Sequence, residues 1–237
     1  METMHYFITN LQKFSEDTKA VEKLKKYLQD IEDIFPVIEE VFGQKWNDNQ
    51  INIELLDDSL NDLRSRYSYE RNTHVVRTRM YNSSIQNKKY PENLWGCLFH
   101  ETHHAFLNPI IRNKRDGKIF NGGHKAEVFN YAFMATTYLK LEKKTKIETQ
   151  TYEDFLSELT RELDSCNRKF RASEKYEYER ELPNNTMDIF REYIDLFSMN
   201  IENFSKFIYY LKSSDTAFTD RSNFSQDLDK AKKFLMQ

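Results

Sequence analysis

Apolar residues along this chain recur mainly at helical spacing, with one interruption near the first quarter. A helical pattern runs from about Ser15 to Phe35, Pro36 is expected to interrupt it, and a further turn or two ends near Gly43. The period then changes to two. Ile51, Ile53 and Leu55 alternate with polar partners, and the β-branched run Thr73 to Met80 predicts a half-buried strand that pairs with Tyr67 to Glu70 through a turn near Arg71-Asn72. Helical spacing returns at about 91–107, where Pro91 and Glu92 suit a first turn and Asn108-Pro109 a stop. Residues 108–123 hold three of the five glycines, so the chain reverses there before a second helical pattern that reaches about Lys143. After Lys144, one stripe consists of Phe155, Leu156, Leu159, Leu163 and Cys166. A longer one consists of Phe190, Tyr193, Ile194, Phe197, Ile201, Phe204, Ile208 and Leu211. Between them, residues 171–182 lack apolar periodicity and read as a connector or exposed flap. The order of elements predicts an α+β fold that is mainly helical. A small mixed sheet is expected to pack on the 91–107 helix, in a first subdomain of residues 1–144, followed by a helical subdomain of residues 145–237.

The 91–107 helix carries His100-Glu101-Thr102-His103-His104. On a helix, positions i and i+4 share a face, so His100 and His104 can direct ring nitrogens at one metal ion while Glu101 beside them handles a proton. A solvated histidine-rich face is the bland explanation. Leu94, Trp95, Leu98, Phe99, Ala105 and Phe106 argue against it, because they make this one of the most apolar segments of an otherwise polar chain. Buried histidines need partners. Cys97 lies one turn before Glu101 but reads as packing, and Gly96 would leave room for close approach of another element. Two imidazoles leave a catalytic zinc one protein ligand short, and the next helical segment offers His124 and Glu127.

With 22 residues between His104 and Glu127, the pattern His100-Glu101-x-x-His104…Glu127 resembles the gluzincin group of zinc metallopeptidases over roughly residues 50–143. The resemblance implies a zincin-like fold, zinc held by His100, His104 and Glu127, and Glu101 as general base. It also implies an edge strand beside the metal, which would align an extended peptide by backbone hydrogen bonds. The thermolysin-like branch has Asn before the third ligand and Asp four residues after it; Ala126 and Tyr131 stand there instead. Glu127 is preferred to His124 because it sits inside a helix whose apolar positions Val128, Ala132, Ala135 and Leu139 fix its orientation, whereas His124 lies at a glycine-flanked start.

The expected chemistry is hydrolysis of a peptide or protein substrate, with Glu101 taking a proton from the attacking water and passing it to the leaving amine. No histidine follows His124, so a second oxyanion donor would be a tyrosine or arginine. Tyr131, one turn from Glu127, is the nearest candidate, with Tyr176, Tyr178 and Tyr193 more remote. A different class of function is a catalytically silent scaffold that binds a partner, although such a module has no need of a base beside the metal. A zinc hydrolase acting on a non-peptide amide uses the same residues.

Composition narrows the field. With 39% hydrophobic and 14% aromatic residues the chain is globular, and a net charge of −3 gives no case for nucleic-acid binding. No apolar run approaches the roughly 18 residues a membrane span needs. Met1 opens no recognisable signal peptide, and two cysteines, Cys97 and Cys166, on apolar stripes suit free thiols, so a cytoplasmic location is expected. The pattern leaves the oligomeric state open.

Overall fold

Alternation at Ile51, Ile53 and Leu55 builds a strand with those three side chains buried and their neighbours half-buried, as period-two patterning requires. In a computed structural model, which describes residues 3–14, 18–46, 49–56, 66–70, 73–79, 94–110, 123–144, 151–172, 186–199, 201–213 and 224–236, this strand is the second of four. The strands are β1 (Tyr6–Ile8), β2 (Ile51–Leu56), β3 (Arg66–Glu70) and β4 (Thr73–Arg79). Seven helices are found among the described residues: α1 (Thr18–Phe42), α2 (Leu94–Ile110), α3 (Gly123–Lys144), α4 (Tyr152–Ala172), α5 (Thr186–Met199), α6 (Ile201–Ser213) and α7 (Phe224–Leu235). A single 3-10 turn, Leu11–Phe14, precedes α1. Among the described residues the protein is thus mostly helical with one small sheet.

The strand order is β1-β2-β4-β3, with β1 and β4 parallel to β2 and β3 antiparallel to β4. A parallel pair cannot be joined by a tight turn, and α1 supplies the crossover between β1 and β2. The expected hairpin of Tyr67 to Glu70 with the following strand is present, with Tyr67 opposite Val76 and Glu70 opposite Thr73. The edge strand that the gluzincin resemblance implies is not the strand just before the motif helix, Thr73–Arg79. β4 lies between β2 and β3, so both of its hydrogen-bonding sides are occupied, and among the described residues the sheet edges are β1 and β3. The non-local parallel pairing of Asn52 to Leu56 with Val75 to Arg79 removes that edge.

Pro36 does not interrupt the first helix. α1 runs through it, and the ring is exposed while Leu24, Leu28, Ile31, Phe35 and Ile38 stay buried in one phase on both sides. Burial of a continuous apolar face outweighs the single lost backbone bond. The helix ends at Gly43, whose φ of 61° places it in the left-handed region, with its N–H donating to the Glu40 carbonyl at 3.2 Å. α2 runs past Asn108-Pro109 to Ile110.

Contacts group Met1–Glu39 with Lys45–Ala105 in one compact unit and Glu40–Gln44 with Phe106–Gln237 in a second. α3, assigned to the first subdomain on sequence grounds, falls in the second unit, where it packs against α4 and α5. In the first unit, Phe35 is the aromatic centre: His5 stacks on it at 3.7 Å, Tyr6 and Trp46 meet it edge-on at 5.9 Å, and Trp46 packs on buried His74. Glu32 accepts hydrogen bonds from the His5 ring at 2.6 Å and the Thr3 hydroxyl at 2.8 Å, tying the start of β1 to α1. The second unit is built on phenylalanine. Phe42 touches Phe106, Phe133 and Phe204, and Phe129 touches Tyr193 and Phe207. Phe155, Leu159 and Leu163 of the first C-terminal stripe are buried, as are Phe190, Tyr193, Phe204, Ile208 and Leu211 of the second. The surroundings of Gly96, the side chains of Cys97 and Cys166 and the segment 173–182 lie outside the described residues. No helix among the described residues is long and apolar enough to cross a membrane.

Candidate metal centre

Leu98, Phe99, Ala105, Phe106 and Leu107 are fully buried, so α2 is apolar nearly all round and its few polar groups lie in an environment that forces them to find partners. His100 and His104, one turn apart, turn their rings towards each other at a centroid separation of 4.7 Å and an angle of 70°, and their Nε2 atoms stand 3.1 Å apart. His104 is 7% exposed and Glu101 4%, while His100 is half-buried. Candidate ligand atoms of His100, Glu101 and His104 all lie within 4.8 Å of one another.

This set fits a small divalent cation. Zinc–nitrogen bonds of about 2.0–2.1 Å at a tetrahedral angle place two nitrogens about 3.3–3.4 Å apart, and 3.1 Å corresponds to an angle of about 100°. Two imidazole nitrogens are borderline donors suited to zinc and to neighbouring transition metals. With one ring donating and the other accepting, the same 3.1 Å also serves as a hydrogen bond.

His103 belongs to a different face. It is fully buried, its Nδ1–H donates to the Phe99 carbonyl at 2.7 Å, and its ring meets the Phe99 ring edge-on at 4.4 Å. Burial pushes its pKa down to about 3, with the positive potential of His100 and His104 acting in the same direction, so the ring is neutral at ordinary pH. Thr102, also fully buried, shares a hydrogen bond of 2.7 Å with the Tyr6 hydroxyl of β1. Burial pushes the Tyr6 hydroxyl well above the ordinary phenol range, which keeps it protonated.

The other sequence-predicted residues belong to the second unit. Glu127 and His124 are in the first turns of α3, and their side chains lie outside the described residues. Tyr131 is 4% exposed, and its hydroxyl donates to Glu162 Oε2 of α4 at 3.3 Å. Tyr193 is buried against Phe129 and Phe207, and Tyr176 and Tyr178 lie outside the described residues. His100, Glu101 and His104 are the residues the structure brings together.

Sequence reasoning missed Tyr6 and its bond to Thr102. A three-residue strand is too short for periodicity to announce, although a polar Thr102 amid buried apolar neighbours already signalled a need for a partner. Comparisons with protein-family models, with curated proteins and with solved structures returned no match to this chain, so the reading of the centre stands on its own residues and geometry.

Proposed function

We propose that this chain is a zinc-dependent metallopeptidase of the gluzincin type, in which His100 and His104 hold the ion and Glu101 is the general base. The observation that carries the proposal is the convergence of two imidazole nitrogens 3.1 Å apart with the carboxylate of the adjacent residue in the same small cluster, on a helix that is otherwise apolar. A cation held by the two histidines would also sit within reach of the buried Glu101 carboxylate, where opposite charge is favourable. The third protein ligand is assigned to Glu127 from its position in the sequence, with His124 as the competitor. When bound, zinc supplies Lewis acidity that lowers the pKa of water towards about 7 and polarises a carbonyl. Glu101 then accepts the proton of the attacking water on a carboxylate oxygen and returns it to the departing amine nitrogen of a peptide. Tyr131 is the nominated second donor to the oxyanion, a role that requires its hydroxyl to exchange Glu162 for the substrate.

The test combines metal analysis with hydrolysis of a mixed peptide library. Wild type is expected to carry about one zinc per chain, and Glu101→Gln to keep the metal while losing at least about 10²-fold in rate, the size typical of a lost general base. His104→Ala is expected to lose both. A wild-type protein that takes up no zinc after reconstitution refutes the proposal. A zinc-loaded wild type inert to every peptide favours a binding scaffold instead.

A further inference from the structure

The polar residues of α2 divide into those that converge on the candidate ion and those that do not. Thr102 is the middle residue of the motif, and its hydroxyl meets a strand: Thr102 Oγ1 and Tyr6 Oη are 2.7 Å apart, both residues fully buried. Leu98, Phe99, Ala105, Phe106 and Leu107 of the same segment are buried, and apolar contact is non-directional. Hydrophobic burial fixes depth and facing only loosely, whereas a buried hydrogen bond adds a directional constraint on rotation about the helix axis. With side chains reaching about 5–6 Å from the axis, a rotation of about 10° displaces their tips by about 1 Å. Displacements of that size are enough to spoil a ligand or catalytic geometry.

Tyr6 is itself held firmly. It pairs with Ile51 in the parallel ladder, its N–H donates to Thr3 Oγ1 at 3.1 Å, and its ring meets Phe35 edge-on. Because burial keeps its hydroxyl protonated, the bond to Thr102 persists across the whole working pH range.

We infer that Tyr6 and Thr102 are positioning residues of the metal centre: their buried hydrogen bond sets the rotation of α2, and so fixes where His100, Glu101 and His104 present their atoms to every group off the helix. The inference rests on the metallopeptidase reading for the identity of the centre. It assigns a functional role to a strand of three residues at the edge of the sheet.

The experiment compares wild type with Tyr6→Phe/Thr102→Val and with Thr102→Ser. The double variant removes both hydrogen-bonding partners at nearly constant shape, so it leaves no buried polar group unsatisfied and stability stays close to wild type. Thr102→Ser keeps the hydroxyl. The readouts are zinc affinity by chelator competition, the visible absorption spectrum of the cobalt-substituted protein and the urea unfolding midpoint. Expected is a loss of at least about tenfold in zinc affinity for the double variant, as for other changes outside the ligand shell, with an altered cobalt spectrum and restoration of both by Thr102→Ser. A double variant that folds and matches wild type in affinity and spectrum overturns the inference while leaving the metallopeptidase reading intact. Should the double variant fail to fold, Tyr6→Phe alone gives the same two readouts, and unchanged values there overturn it equally. A wild type that binds neither zinc nor cobalt removes both readings together.

Discussion

His103 and His104 are adjacent in sequence, but the helix gives them opposite tasks. One donates Nδ1–H to a carbonyl within its own helix and is sealed from water; the other turns Nε2 towards His100. His103→Leu therefore removes a donor from a carbonyl that the helix already satisfies, and chelator competition is expected to show zinc affinity within a few-fold of wild type. His104→Ala is expected to lose well over about 100-fold, because it deletes a proposed ligand and not a neighbour. His103 also carries a pH signature. Its folded pKa of about 3 lies below the value of 6.5 for an unfolded histidine, so the unfolded chain binds the extra proton. Its contribution to stability is complete above pH 6.5 and is lost as pH falls towards 3, with a slope of up to about 1.4 kcal/mol per pH unit. Urea midpoints measured in the presence of chelator between pH 7 and 5 should fall along that slope in wild type and along a shallower one in His103→Leu. Parallel slopes would show that the buried imidazole does not carry the effect.

At the scale of elements, α1 is held by its face more than by its backbone. Pro36 removes the N–H that would bond to the Glu32 carbonyl, yet its ring is exposed and Phe35 and Ile38 beside it are fully buried. Pro36→Ala is expected to restore the bond and raise stability by about 1–2 kcal/mol, after the greater freedom of the unfolded chain offsets part of the gain. A lower urea midpoint would mean that the proline shapes the helix in a way its neighbours require. Pro36 also marks a limit of local reasoning, since a breaker rule holds only until burial on both sides outweighs it. Long apolar stripes were legible for the same reason. Phe155, Leu159 and Leu163 repeat at helical spacing whatever they pack against, and His100 and His104 converge because the helix alone puts them on one face. What depends on pairing between distant segments was not legible. β1 is three residues long, β4 becomes interior only through its parallel partner β2, and Tyr131 meets Glu162 on another helix that no spacing rule connects to it.

For the molecule as a whole, an ion held at the proposed centre would bind the native chain and so stabilise it by mass action. At free zinc 100-fold above Kd the gain is about 2.7 kcal/mol. For a chain of 237 residues, each kcal/mol raises Tm by about 2–4 °C, so the expected shift is about 5–10 °C. The chain offers its own way to see it. Both tryptophans, Trp46 and Trp95, fall in the first compact unit together with His100, Glu101 and His104, and Trp46 packs on Phe35 and His74. Tryptophan fluorescence therefore follows the unit that carries His100 and His104. Thermal melts followed by that signal should shift down by about 5–10 °C when chelator is added and return on adding zinc. Glu101→Gln should respond as wild type does, since the base is not counted among the ligands, and His104→Ala should not respond. If His104→Ala responds like wild type, the ion that stabilises the protein is bound elsewhere; if Glu101→Gln loses the response, Glu101 is a ligand and cannot also be the base.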